Sequence, residues 1–258
     1  SQYTREWDEI AYNAPYYLIV KSAGNERNDD GPVAGAQHWV FDGEDWVLST
    51  TTRNPDGDYD CLSHNSLAKN ILTVGAINSL PNGYYSDDDV FVASFSSWGP
   101  ADDGRIKPDI VADGVALYSA LASGDASYGY LSGTSMASPN AAGSVTLLQE
   151  HFQETHGGTQ MLASTLKGLV IHSANEAGLI EGPDYMHGWG LLNIERAANI
   201  ISNDGEDNQI IENILTQNNS YSIDITLEET SPLIATICWT DPPGNPVLPA
   251  LNPTDKML

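Results

Sequence analysis

Basic residues are scarce in this chain: 10 Lys and Arg stand against 35 Asp and Glu, for a formal net charge of −25. Such a surface repels phosphate backbones, which argues against nucleic acid as a partner. It leaves a soluble, self-repelling surface, an adaptation to salt, or acidic loops that hold calcium. Cysteine is scarcer still. Cys61 and Cys238 lie far apart, and Cys238 sits in an apolar, strand-like run. Two buried free thiols are expected rather than a disulfide framework, so cysteine does not fix the redox compartment. No apolar run approaches the ~18 residues needed to cross a bilayer, so no membrane span is expected. Residues Ser1 to Arg5 lack the charged-then-apolar pattern of a signal peptide and read as the middle of a helix.

What is present up to about Ala198 alternates between helix and buried strand. Arg5 to Asn13 reads as the end of a helix. Tyr16-Tyr17-Leu18-Ile19-Val20 is a continuous apolar run, as expected of a strand covered on both faces, and it breaks at Ala23-Gly24-Asn25. Asp29 to Asp60 is rich in Gly, Pro, Asp and Trp and reads as long loops with an edge hairpin. Ile71 to Ala76, Val90 to Phe95 and Ile110 to Ala112 read as further strands. A helix opens at Ser138-Pro139, with Ala141, Ala142, Val145 and Leu148 on one face; another runs from about Gln160 to Ala174, with Leu162, Leu166, Leu169 and Val170 inward. This alternation predicts an α/β fold, a parallel sheet flanked by helices. After Ile201 the character changes. Residues 202–208 form a polar linker, and beyond it Tyr221, Ile223, Ile225 and Leu227 alternate with polar residues. Residues 209–258 therefore read as the beginning of an all-β sandwich domain, too short to close.

The stretch Ser132-Gly133-Thr134-Ser135-Met136-Ala137-Ser138-Pro139 carries the chemistry. A serine hydroxyl attacks a carbonyl only if a base takes its proton and donors hold the oxyanion. Gly133 permits a sharp loop and lets a substrate backbone approach. Ser135 then sits at the mouth of a helix, where unpaired N–H groups favour developing negative charge. From the residues alone two readings stand: Ser135 is a nucleophile, or it is a helix N-cap.

Leu131 to Pro139 resembles the active-site serine motif of the subtilases, the subtilisin-like serine proteases. Ser22-Ala23-Gly24-Asn25 resembles the family's strand-end segment that supplies the oxyanion-hole Asn, about 110 residues earlier. Asn70 to Ala76, Phe95 to Pro100 with Lys107 to Ala112, and His187 to Asn193 resemble further stretches of the catalytic domain. The resemblance covers about residues 1–200, making 1–201 the C-terminal portion of a catalytic domain that is incomplete at its N-terminus. It implies a serine-type endopeptidase with Ser135 as nucleophile, Asn25 and the Ser135 N–H as oxyanion donors, and Ser22, Ala23, Gly24, Gly133 and Thr134 lining the substrate. It further implies a polypeptide substrate and a secreted or cell-surface location.

The sequence departs from the family in two places. Asp113 stands where a Pro is usual. More consequentially, subtilases place an Asp in an Asp-Ser/Thr-Gly turn and a His in a His-Gly-Thr helix start, both before the oxyanion Asn; neither motif occurs here. The six histidines read as structural or solvated. The isolated chain is therefore expected to be inactive, with a separate N-terminal segment supplying Asp and His. Two alternatives remain: a catalytically degenerate subtilase used for binding or display, and an α/β-hydrolase-type esterase drawing on Asp184 and His187 after the serine. No cofactor is required by either enzyme reading. Asp56, Asp58 and Asp60 alternate like part of a calcium loop but lack its sixth-position Gly and closing Glu, leaving calcium as a structural ion open.

Overall fold

The computed structural model describes residues 2–28, 35–41, 45–50, 59–206, 209–226 and 233–244. A helix α1 (Gln2–Asn13) leads by a turn into the short strand β1 (Val20–Ser22). A hairpin of β2 (His38–Phe41) and β3 (Trp46–Ser49) follows, then β4 (Leu72–Ile77) and β5 (Ile110–Asp113). The hairpin β6 (Leu117–Ala120) and β7 (Tyr128–Leu131) precedes the long helix α2 (Thr134–Thr155), followed by α3 (Ala163–Ser173) and α4 (Ile194–Ser202).

Strands β1, β4 and β5 form one parallel sheet in that order, with Val20 beside Leu72 and Val74 beside Ile110. All six residues of β4 are buried, which is why its sequence is apolar but for Thr73. Its faces still differ. Leu72, Val74 and Ala76 join Ile110 and Ala112 in the core under α2, which crosses all three strands, whereas Ile77 and Val111 pack on the opposite side with Val90 and Ala177. The predicted fold class is therefore the observed one as far as α4.

Several boundaries differ from expectation. Tyr16 and Tyr17 are exposed, because the chain is still turning out of α1, with the Tyr17 N–H on the Ala14 carbonyl. The strand begins only at Val20 and lies at the sheet edge. Within Val90 to Phe95 only a single bridge forms, Val92 to Ile77, before the chain turns at Ala93–Ser96. Beyond α4, the described residues 209–226 and 233–244 contain no strand, and Tyr221, Ile223 and Ile225 stay exposed. A strand needs a neighbour for its backbone groups, and this stretch meets the α/β body only through isolated residues. Glu212 Oε1 accepts the Leu162 N–H at 2.7 Å, and the Asn70 carboxamide pairs with the Asp241 backbone at 2.8 and 3.1 Å.

A buried ion cluster stands at the sheet end remote from Asn25. Lys107 and Lys167 donate to opposite oxygens of the Asp109 carboxylate, at 2.5 and 2.9 Å, and all three side chains are at most a tenth exposed. Lys107 also donates to Thr73 Oγ1 at 3.0 Å, and the Thr73 N–H donates to Asp109 Oδ2 at 2.6 Å.

Candidate active site

Ser135 lies in the first turn of α2, after β7 has delivered the chain across the sheet end. The helix begins at Thr134, four residues earlier than Ser138, so Pro139 falls in the second turn. Having no N–H, Pro139 leaves the Ser135 carbonyl without its intrahelical donor. The cap is Gly133, which offers no side-chain bond; its φ of +153° is costly for any residue with a Cβ. Ser135 is therefore not the N-cap, and that reading is overturned. Its side chain is exposed, and as the second helical residue its N–H has no intrahelical acceptor.

The first-turn donor is capped from a distance. Asn25, just past the end of β1, accepts with Oδ1 both the Thr134 N–H and the Thr134 hydroxyl, each at 2.9 Å. Thr134 is buried, and its Oγ1 in turn accepts the Gly24 N–H at 3.2 Å. With Oδ1 so occupied, the Asn25 Nδ2 and the Ser135 N each lie close to Gly133. A Cβ on Gly133 would sit 3.5 Å from Asn25 Nδ2 and 3.7 Å from Ser135 N, in the gap the two donors flank. Met136 Sδ is also 3.7 Å from that point. Such a pair of N–H groups around a glycine can hold an oxyanion.

The expected wall residues divide. Ala23 is fully buried and its carbonyl accepts from Ser63 N–H and Ser66 Oγ; the Gly24 carbonyl accepts from Ser97 N–H. Both shape the floor with their backbones already engaged. Gly24 has φ +125°, and a Cβ there would meet Ser97 Oγ at 2.8 Å. Ser22 is half-buried, its hydroxyl accepting from Lys21 Nζ at 2.8 Å. Burial lowers the Lys21 pKa from its ordinary value, and the Glu26 carboxylate opposes that. The Gly133 N–H donates to the Gly114 carbonyl at 2.8 Å, fixing the loop to the end of β5. Asp113, in place of Pro, accepts from Ser79 Oγ at 3.0 Å and the Val115 N–H at 3.2 Å.

Among the described residues, no histidine or carboxylate is hydrogen-bonded to Ser135. His38, His151, His156, His172 and His187 hold Ala36 O, Ser202, Asp204, Thr236 and Asp184 respectively. His64 lines a cavity of ≈ 380 Å³ with Tyr3, Lys21, Ser63 and Asn65 on the β1 side. The pair required by an α/β-hydrolase is occupied elsewhere. His187 Nδ1 is 3.0 Å from Asp184 Oδ2, and its Nε2 faces the Val90 carbonyl at 3.2 Å. Burial pushes the Asp184 carboxyl up, and its hydrogen bonds from His187 more than reverse this. Nor does the nucleophile follow a strand of the parallel sheet, since β7 belongs to a separate hairpin. Asp56 and Asp58 lie outside the described residues. Asp60 donates its N–H to the Gly99 carbonyl, and among the described residues no group of side chains is arranged to hold a metal.

Sequence reasoning passed over two features. Thr134 was expected only as a substrate contact, yet it orients Asn25. The strand β6, which pairs with β7 ahead of Ser135, went unread; it holds the single tyrosine Tyr118 and is too short to show a period.

Serine protease/ABC transporter B family protein tagD of Dictyostelium discoideum is 27% identical over 341 aligned positions, covering 92% of this chain and 19% of its own length. Pyrolysin of Pyrococcus furiosus is 48% identical over 122 residues, 43% of this chain and 8% of that protein. Serine protease AprX of Bacillus subtilis is 34% identical over 114 residues, 40% of this chain and 25% of that protein. The chain thus spans a quarter or less of these relatives. Among solved structures, the Clostridium perfringens CspB protease aligns over 57% of this chain and 30% of its own, with 25% identity and a TM-score of 0.49. No described helix is long and apolar enough to cross a membrane. The family model described as "Subtilase family" matches residues 2–190 of the 258, and the chain belongs to that family of subtilisin-like serine proteases.

Proposed function

We propose that this chain carries the nucleophile and oxyanion hole of a serine endopeptidase, and that the activating Asp and His come from a segment outside it. The observation that carries this reading is the convergence of Asn25 Nδ2 and the Ser135 N–H around Gly133. Ser135 Oγ attacks the scissile carbonyl. The two donors stabilise the oxyanion, and collapse of the tetrahedral intermediate expels the amine and leaves an acyl-enzyme on Ser135. Water then releases the acid. The base for both steps is the missing His, because five of the described histidines are hydrogen-bonded elsewhere and His64 is not hydrogen-bonded to Ser135.

The site for the activating segment is the outer side of β1. That edge has no strand partner among the described residues, borders the His64 cavity, and stands beside exposed Tyr16 and Tyr17. Family membership supports a polypeptide substrate. A secreted or cell-surface location rests on the same resemblance, and calcium is at most a structural ion.

Without a base, Ser135 keeps an ordinary hydroxyl. Loss of the triad His alone costs about 2 × 10⁶ in kcat, a value measured on subtilisin, a member of this family. The isolated chain is therefore expected to react slowly with a fluorophosphonate probe and to label rapidly once mixed with an upstream segment bearing Asp-Ser/Thr-Gly and His-Gly-Thr. Rapid labelling of the chain alone, abolished in Ser135→Ala, overturns the missing-triad assignment. No labelling in the mixture, despite complex formation, points to a degenerate subtilase that binds without cleaving.

A further inference from the structure

The hairpin that delivers Ser135 carries an uncovered aromatic face. Register places Tyr118 opposite Tyr130 and Ala120 opposite Tyr128. Residues directly opposite, and residues two apart, project to the same face, so the three tyrosines share one side. Their rings pack together: Tyr118 and Tyr130 have centroids 5.0 Å apart at 50°, and Tyr118 and Tyr128 are 6.0 Å apart at 25°. All three are more than half exposed, at 62%, 59% and 70% for Tyr118, Tyr128 and Tyr130. Large aromatic surface left in water marks a place where something binds.

Location indicates what binds there. The sheet order is β1-β4-β5, with Asn25 past the end of β1 and the hairpin growing from the end of β5. Ser135 stands between them. Its loop is tied to the hairpin base by the Gly133 N–H on Gly114 O at 2.8 Å and the Ala116 N–H on Ser132 Oγ at 2.9 Å. The hairpin therefore adjoins the Ser135 loop on the side away from β1. Tyr130 precedes Ser135 by five residues, a contour of at most about 17 Å, which an extended substrate covers in about five residues.

We propose that Tyr118, Tyr128 and Tyr130 bind the leaving-group side of the polypeptide substrate and select apolar, aromatic or proline side chains a few positions past the cleaved bond. This rests on the endopeptidase reading of Ser135. Tilted, mutually packed rings offer faces and edges to another ring or to a proline, whereas a sugar platform would need coplanar, separated rings.

The test uses the active protease and two substrates with the same acyl side. One is a chromogenic anilide ending at the cleaved bond; the other is a quenched fluorogenic peptide continuing five residues beyond it, with Phe or Pro at the third to fifth. In the triple variant Tyr118→Ser, Tyr128→Ser, Tyr130→Ser, the ratio of kcat/KM for long over short substrate is expected to fall about tenfold. The three Tyr→Phe changes, which keep the rings, are expected to preserve it. If the triple variant does not melt cooperatively, Tyr130→Ser alone carries the expectation at about threefold. An unmoved ratio in an active wild type overturns the hairpin proposal alone. A ring-dependent dimer in sedimentation velocity also overturns it, since a second copy would then cover the face. Failure of the wild type to cleave either substrate, with Ser135 unlabelled, overturns the endopeptidase reading itself.

Discussion

Asn25 and Thr134 lie 109 residues apart in sequence and share two hydrogen bonds, the Thr134 N–H and Oγ–H both donating to Asn25 Oδ1. The contact does two jobs. It caps α2, and it leaves the Asn25 amide nitrogen as the only end of that side chain able to face a substrate oxygen. Thr134 is thus a positioning residue that acts through Asn25. In the active protease, Thr134→Val removes the hydroxyl's bond to Asn25 Oδ1 and the acceptor of the Gly24 N–H, and is expected to lower kcat by about three- to tenfold, with KM little changed. Thr134→Ser, which keeps the hydroxyl, is expected to restore it. Asn25→Ala is expected to cost ~10²–10³ in kcat, the magnitude known for the corresponding donor of subtilisin itself. Steady-state kinetics on a short chromogenic peptide separate the three; a Val variant with wild-type kcat removes Thr134 from the mechanism.

Gly133 gives an independent test of the same geometry. A methyl group there would meet only ordinary contacts at 3.5–3.7 Å, so the fold has room for it. It would, however, occupy the gap between the two donors and demand a φ that only glycine adopts without cost, about 1–3 kcal/mol. Gly133→Ala is expected to keep a cooperative melt at a somewhat lower temperature while losing at least ~100-fold in kcat. Wild-type turnover in this variant would show that the oxyanion does not sit beside Gly133.

The strand β4 was legible in the sequence because burial on both faces writes itself as a run from Ile71 that is apolar but for Thr73. The motif around Ser135 was legible as that of the subtilase family, to which the chain belongs. The start of α2 was not. Local signals put it at Ser138-Pro139, but the true cap acceptor is Asn25, on a different element, and no local pattern encodes it. The C-terminal alternation at Tyr221, Ile223 and Ile225 finds no strand partner among the described residues. Period two shows that a segment could be half of a ladder; it does not supply the other half. The histidines show the reverse case, since an absent His-Gly-Thr start was readable from the sequence, while the particular partners holding His151, His156 and His187 required the structure.

Met136 follows Ser135, the proposed nucleophile, and its sulfur lies as near the Gly133 gap as Ser135 N does. Oxidation to the sulfoxide would place a polar oxygen beside the two donors. Dilute peroxide is expected to inactivate the active protease, and Met136→Ala to resist it. Time courses of residual activity, with peptide mass mapping of Met136, check this. Equal rates of loss in wild type and variant would place the sensitive group elsewhere.

The last prediction concerns the buried cluster of Lys107, Asp109 and Lys167. Burial lowers the Lys107 pKa from 10.5 to about 7; the Asp109 carboxylate resists this, and Lys167 adds to it. In the unfolded chain Lys107 returns to its ordinary value. Between pH 7 and about 10.5 the unfolded state therefore binds a proton that the folded state has released, and this group makes stability rise with pH across that window. Below pH 7 both states are protonated, so its penalty is fully present and flat. The slope is at most about 1.4 kcal/mol per pH unit for one proton. Other groups titrate in the same range, so the quantity to follow is a difference. Lys107→Met removes the titration and leaves Asp109 its ion pair with Lys167 at 2.9 Å. The stability of wild type minus that of the variant, from urea melts at pH 6, 7, 8 and 9, is expected to be constant from 6 to 7 and to grow from 7 to 9. A difference that stays flat from pH 7 to 9 would mean that Lys107 keeps its proton throughout, and that Asp109 with the Ile71 and Thr73 oxygens outweighs the burial.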